Sequence, residues 1–116
     1  MANRVLVVED EPLIAFDVAD HLTEAGFDVA GPVASVKAAM ALLETGCDVA
    51  VLDVNLGRET AAPIAEAMSA LSLPFIALSG YSSDQLPAPF RHAPVLTKPV
   101  DPKRLVAAVR RSIEGK

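Results

Sequence analysis

Four runs of apolar residues along the chain each end on a polar side chain that can take part in chemistry. The runs are residues 5–8, 49–52, 75–78 and 94–97, and the polar residues at their ends are Glu9 and Asp10, Asp53, Ser79, and Lys98. Continuous aliphatic runs of this length are typical of strands buried on both faces. Helical patterns separate the runs, so the chain predicts a parallel sheet with helices on both sides. Because the carboxyl ends of parallel strands meet at one edge, we expect these polar side chains to converge there.

The helical patterns predict four helices and one irregular crossover. The helices run over about 11–25, 35–44 and 60–71, and from Asp101 to near the end of the chain. A short strand over about 27–30 carries no reactive group at its end, as expected of an edge strand. Three prolines between residues 82 and 94 argue against a full fourth helix and allow at most a single turn around 83–86. We therefore predict a flavodoxin-like, doubly wound, five-stranded parallel sheet of order 2-1-3-4-5, built as (βα)5 with a degenerate fourth helix.

The apolar positions of each predicted helix recur every three or four residues and should face the core. They are Ile14, Val18, Leu22 and Ala25 in the first helix, Val36, Met40 and Leu43 in the second, Ile64, Met68 and Leu71 in the third, and Leu105, Val109 and Ile113 in the last. Asp10 and Asp101 stand shortly before prolines that fit a first helical turn, so both are predicted to be N-caps.

Length and composition indicate one globular domain over residues 1–116. A hydrophobic content of 52% excludes a disordered chain, and a net charge of −5 argues against nonspecific binding to nucleic acid or a membrane surface. No apolar stretch approaches the roughly 20 residues that span a bilayer, and no secretory signal precedes the first strand. Cys47 cannot pair within the chain, and we predict a buried small hydrophobe in a reducing compartment. The predicted location is cytoplasmic, with neither nucleic acid nor membrane as a partner.

Three acids, Glu9, Asp10 and Asp53, are predicted to share the carboxyl edge of the sheet. Like charges about 4 Å apart repel by roughly 4 kcal/mol per pair at an effective dielectric constant near 20. A hard cation removes this repulsion, and Mg²⁺ typically binds one or two carboxylates together with phosphate oxygens. Taken singly, Asp10 could be a cap, Asp53 and Ser79 turn residues, and Lys98 plain surface charge. Their occurrence together at four strand ends favours a site for a cation and a phosphoryl group.

The ordered motifs of the chain resemble the receiver domain of bacterial two-component response regulators. The matching segments are Val7-Val8-Glu9-Asp10-Glu11-Pro12, Val51-Leu52-Asp53-Val54-Asn55, Leu78-Ser79-Gly80-Tyr81 and Thr97-Lys98-Pro99. The resemblance implies that Asp53 is the phosphoacceptor, that Ser79 binds the phosphoryl group and that Lys98 pairs with it. It also implies that Asp10, Asp53 and the backbone carbonyl of Asn55 bind Mg²⁺ directly, that Glu9 binds it through water, and that the Lys98–Pro99 peptide bond is cis.

The same resemblance implies the partners. The donor would be a phosphohistidine on a histidine kinase or histidine phosphotransfer protein, docking against Leu13, Asp17, Asp20 and the turn over residues 99–101. Since no output domain follows Lys116, we expect a single-domain response regulator without enzymatic activity. It would signal through an unknown downstream protein target or act as a phosphate sink.

Two features depart from most response regulators. The position three residues before the lysine, where an aromatic ring usually reports phosphorylation, is Val95. With the eroded fourth helix and the segment over residues 74–81, this resembles the FATGUY subclass of single-domain receivers, although that subclass typically has Phe and Thr where Ala77 and Ser79 stand. Our hypothesis is that the loop over residues 80–94, including Tyr81, carries the signal instead.

Other classes of protein share parts of the pattern. A phosphatase with an aspartyl nucleophile usually carries Asp-x-Asp, whereas Asp53-Val54-Asn55 ends in an amide that cannot shuttle protons. A flavin site needs a phosphate loop rich in Ser, Thr and Gly, which does not follow the first strand. A pseudo-receiver, which binds partners without being phosphorylated, stays open as the alternative, and it would show no response to beryllofluoride with Mg²⁺.

Overall fold

The computed structural model of the protein describes residues 2–80 and 86–115. Its strands are β1 (Arg4–Val8), β2 (Asp28–Val33), β3 (Val49–Asp53), β4 (Asn55–Leu56), β5 (Glu59–Thr60), β6 (Phe75–Ser79) and β7 (Val95–Thr97). Its α-helices are α1 (Pro12–Glu24), α2 (Val36–Leu43), α3 (Ala62–Ala70) and α4 (Pro102–Glu114). A 3-10 turn occupies Ala88–Phe90.

Five strands form one parallel sheet in the order β2-β1-β3-β6-β7. Because β6 and β7 are the fourth and fifth strands of this sheet, the predicted order and the flavodoxin-like fold class are confirmed. The central strands are in close register: Val8 pairs with Leu52, and Asp53 pairs with Leu78. The carboxyl ends of β1, β3 and β6 are therefore level at one edge, where the candidate site lies.

The sheet separates two hydrophobic layers. Alternation along β1 sends Leu6 and Val8 into the layer under α2 and α3, and Val5 and Val7 into the layer under α1 and α4. All four side chains are fully buried, which explains why a central strand reads as a continuous apolar run.

Strand β2 is longer than predicted and continues past Ala30 to Val33. The extension is held by a hydrogen bond from the Glu9 N–H to the Val33 carbonyl (2.9 Å). Gly31 makes this possible, since its φ is +101° and a Cβ there would lie 2.8 Å from the Val7 carbonyl oxygen. The end of β2 is thereby attached to Glu9, the first residue after β1.

The N-cap residue was predicted correctly for α4 and wrongly for α1. Asp101 caps α4 by accepting a hydrogen bond from the Lys103 N–H (3.0 Å). The prediction that Asp10 caps α1 is wrong: the N-cap is Glu11, and its side chain makes no cap hydrogen bond. Glu9 Oε1 instead accepts the Glu11 N–H (3.0 Å), which leaves the Asp10 carboxylate beside the other acids.

Two residues predicted to face the core are exposed. Met40 is exposed because α2 turns Ala39 and Leu43 inward. Leu71 is exposed because α3 ends at Ala70 and places Leu71 at the C-cap. Cys47 is half-buried, with its Sγ 3.9 Å from the Met68 Sδ, so the prediction of a buried thiol was only partly right.

Residues 86–94, which are the described part of the crossover between β6 and β7 beyond Gly80, contain no α-helix. Phe90, at the end of the 3-10 turn, is fully buried and meets Phe75 edge-on, with ring centroids 5.8 Å apart. The predicted turn around 83–86, apart from Leu86, and the signalling hypothesis for Tyr81 fall on residues 81–85, which lie outside the described residues. The hairpin of β4 and β5 was not predicted, and it delays the start of α3 to Ala62.

None of the helices in residues 2–80 and 86–115 has both the length and the apolar character of a membrane span.

Candidate functional site

The strand ends bring the four predicted positions to one edge of the sheet. Glu9 follows β1, Asp53 closes β3, Ser79 closes β6, and Lys98 follows β7. Ser79 is buried and its carbonyl accepts the Lys98 N–H (2.9 Å), so the β6 and β7 ends are tied together at the site. The Lys98–Pro99 peptide bond is cis, as the resemblance implies.

Three carboxylates meet at this edge. One oxygen from each of Glu9, Asp10 and Asp53 lies within 4.8 Å of the other two. Glu9 and Asp53 are 2% and 4% exposed, whereas Asp10 is exposed. Two carboxylates of the cluster are therefore buried, and the third, Asp10, is accessible to solvent.

Lys98 is the cation that balances the buried part of the cluster. Its Nζ lies 3.0 Å from Glu9 Oε2 and 3.0 Å from Asp53 Oδ2. Burial acts to lower the pKa of Lys98, but the hydrogen bonds to Asp53 and Glu9 outweigh it and raise that pKa above 10.5. The lysine is therefore charged at neutral pH and bridges two acids. The bridge to Glu9 was not predicted from the sequence, which indicated only that Lys98 faces the same edge.

Asp53 is destabilised as a carboxylate in this environment. Burial, and then the neighbouring Glu9, raise the pKa of Asp53 from 3.8 to about 7, against the opposing effect of Lys98. One ammonium thus does not fully compensate the buried negative charge. A perturbed pKa in a cluster of this kind is typical of functional sites.

The donor set fits a hard divalent cation. Three carboxylates offer oxygen ligands with a formal charge of −3, and Lys98 places one positive charge beside two of them. Mg²⁺ favours such oxygen donors and keeps waters at its remaining positions. Asn55, the fourth predicted ligand, is exposed and adjacent, with its N–H 3.4 Å from Asp53 Oδ1. The residues predicted to bind the metal therefore lie next to one another: Glu9, Asp10 and Asp53 in the cluster, and Asn55 beside Asp53.

Gly57 is a site residue that the sequence reasoning missed. It begins the two-residue turn between β4 and β5 with a φ of +70°, and a Cβ there would lie 3.9 Å from Asp10 Oδ2. A glycine at the first central position of a two-residue hairpin is a known turn signal, so Gly57 between Leu56 and Arg58 could have indicated this hairpin. The turn places backbone beside the exposed carboxylate of the cluster.

Comparisons with known proteins agree with this geometry. A family model for the response regulator receiver domain matches residues 5–110. The transcriptional regulatory protein PdtaR of Mycobacterium tuberculosis is 29% identical over 96% of this chain and 57% of its own length. The chain thus spans a little over half the length of the curated relatives it matches.

Solved structures show the same fold. SdrG from Sphingomonas melonis Fr1 is 40% identical over 94% of both chains, with a TM-score of 0.81. PhyR from Brucella abortus is 25% identical over 99% of this chain and 49% of its own, with a TM-score of 0.85. A CheY-like receiver domain protein from Methanospirillum hungatei JF-1 has a TM-score of 0.88 at 21% identity, over 99% of this chain and 96% of its own.

Proposed function

Because the chain belongs to the response regulator receiver family, we propose that it accepts a phosphoryl group on Asp53 in a magnesium-dependent reaction. The donor is a phosphohistidine on a histidine kinase or a histidine phosphotransfer protein. The observation that carries the proposal is the position of Lys98, whose Nζ lies 3.0 Å from a buried Asp53 within a three-carboxylate cluster. The receiver fold is typical of signalling regulators that are not enzymes.

Asp53 is the nucleophile in this proposal. One of its carboxylate oxygens attacks the phosphorus, the bond from phosphorus to the donor imidazole nitrogen breaks, and that nitrogen keeps the electron pair. The product is an aspartyl phosphate. Since only the ionised carboxylate attacks, a metal-free pKa of about 7 would leave much of Asp53 protonated at neutral pH.

The other residues stabilise the charge on the phosphoryl oxygens. Lys98 is charged and within reach of Asp53, so its ammonium can pair with a phosphoryl oxygen as charge develops. The buried Ser79 hydroxyl, at the end of the neighbouring strand, would donate a hydrogen bond to another. Asp10, Asp53 and the Asn55 carbonyl would hold Mg²⁺, with Glu9 acting through water, and the bound ion would supply positive charge to the phosphoryl oxygens.

A related receiver supports a response to phosphorylation. SdrG has a solved BeF3-activated conformation, and it is 40% identical over 95% of both chains. By this likeness the present protein would also respond to beryllofluoride. The phosphorylated form then signals through protein contacts or loses its phosphate as a sink. Because Val95 has no aromatic ring that could report phosphorylation, the loop over residues 80–94 carries the signal in this proposal.

Phosphorylation by a small donor tests the proposal directly. We expect phosphoramidate with Mg²⁺ to add one phosphoryl group, seen by intact-protein mass, and EDTA to abolish the addition. Asp53→Asn removes the nucleophile and should remain unlabelled, whereas the control Asp20→Asn, an exposed carboxylate on α1, should be labelled like the wild type. Labelling of Asp53→Asn would refute the assignment of the acceptor. A wild-type protein that neither takes phosphate nor responds to beryllofluoride would be a pseudo-receiver.

A further inference from the structure

The hairpin that follows Asp53 connects the acidic cluster to helix α2. Its strands pair Asn55 with Thr60 and Leu56 with Glu59. Leu56 is buried against the core, whereas both residues of β5 are exposed. The first strand of the hairpin is thus anchored by packing, and the second is held by its pairing with the first and by the Ala61 N–H, which donates to the Val54 carbonyl at 2.9 Å.

One side of the hairpin faces the candidate cation site. The Asn55 N–H points to Asp53 Oδ1 at 3.4 Å, and the Gly57 turn lies beside Asp10 Oδ2. Any displacement of the hairpin would therefore move the backbone that borders two of the three carboxylates.

The other side of the hairpin is attached to α2 through Glu59. Its Oε2 accepts the N–H of Val36, the first residue of α2, at 3.1 Å. That N–H belongs to the first turn, whose donors have no partner within the helix, and a negative charge there is favoured by the helix dipole. Ser35 takes a different donor of the same turn, the Ala38 N–H, at 3.1 Å. The two caps share a helix, but only Glu59 belongs to the hairpin.

We propose that Glu59 is a positioning residue for the cation site. By holding β5 against α2, it keeps Asn55 and the Gly57 turn beside Asp53 and Asp10. This inference rests on the proposed function, because it concerns the same Mg²⁺. Linkage makes the coupling reciprocal, so cation binding must strengthen the contact of Glu59 with Val36 to the same degree.

Magnesium affinity of matched variants tests the role of Glu59. We expect Glu59→Ala to weaken Mg²⁺ binding by about five-fold in calorimetric titration, less than is typical for a direct hydrogen-bond partner of a metal ligand. Glu59→Gln keeps an acceptor for the Val36 N–H and should stay within about two-fold of the wild type. Ser35→Ala loosens the same helix end without touching the hairpin and should also stay within about two-fold.

Amide exchange supplies a readout that does not depend on phosphorylation. Mg²⁺ should slow exchange of the Val36 amide in the wild type and not in Glu59→Ala. The proposal is overturned if Glu59→Ala binds Mg²⁺ like the wild type. It is also overturned if Glu59→Gln binds Mg²⁺ as weakly as Glu59→Ala does, since loss of the charge alone would then explain the effect. The same holds if Ser35→Ala binds Mg²⁺ as weakly as Glu59→Ala. Absence of Mg²⁺ binding by the wild type would instead refute the proposed function, and this inference with it.

Discussion

Replacing Asp53 with asparagine should stabilise the metal-free protein, although the substitution removes the proposed phosphoacceptor. Asp53 is almost fully buried beside Glu9 and has Lys98 as its compensating cation. Asparagine has nearly the same shape and no charge, so the variant keeps the packing and relieves the repulsion. Functional sites often hold groups that lower the free energy of unfolding, so replacing such a group can stabilise a protein.

The magnitude follows from the pKa of Asp53. A rise from 3.8 to about 7 means that the folded state binds the proton more tightly than the unfolded state. Stability contributed by this group is therefore greatest below about pH 4 and falls as the pH rises to about 7. Complete ionisation corresponds to a loss of about 4 kcal/mol, at roughly 1.4 kcal/mol for each pH unit. We expect Asp53→Asn to be more stable than the wild type by about 4 kcal/mol near pH 8 and by about 2 kcal/mol near pH 5.

Urea denaturation in EDTA at both pH values measures this difference. The control Asp20→Asn removes an exposed carboxylate and should change the free energy of unfolding by less than about 0.5 kcal/mol. Adding Mg²⁺ should stabilise the wild type and leave the variant nearly unchanged, which narrows the gap between them. An Asp53→Asn variant that is no more stable than the wild type near pH 8, or a gap that does not grow with pH, would refute the electrostatic reasoning.

Two further predictions follow from the site and the core. Magnesium affinity should fall by up to about tenfold per pH unit below pH 7 and level off above it, because Asp53 must lose its proton to bind; a flat calorimetric profile between about pH 5 and pH 8 would contradict this. Phe90→Ala should lower the free energy of unfolding by about 3 to 5 kcal/mol in urea denaturation, because the fully buried ring anchors the crossover against Phe75. The control Arg91→Ala, at an exposed neighbour, should change the free energy of unfolding by less than about 0.5 kcal/mol, and equal effects of the two substitutions would contradict the role of Phe90.

The architecture was predictable because the strands of a buried parallel sheet appear in the sequence as continuous apolar runs. Strands covered on both faces must be apolar throughout, so β1, β3 and β6 could be located from composition alone. Right-handed crossovers then restrict the strand order, and the carboxyl ends follow from it. The placement of Glu9, Asp53, Ser79 and Lys98 at one edge needed no further information.

The sequence alone therefore determined the sheet, its order and the set of residues at its carboxyl edge, since these depend on local periodicity and chain direction. Only the tertiary structure decided which of those residues touch: Lys98 bridges Glu9 and Asp53, and Glu59 reaches the first turn of α2. It likewise decided that Asp10 joins the acids instead of capping α1, and that Met40 faces outward. The physical reason is that a pattern reports the face of one element, whereas contacts depend on how elements far apart in the chain pack together.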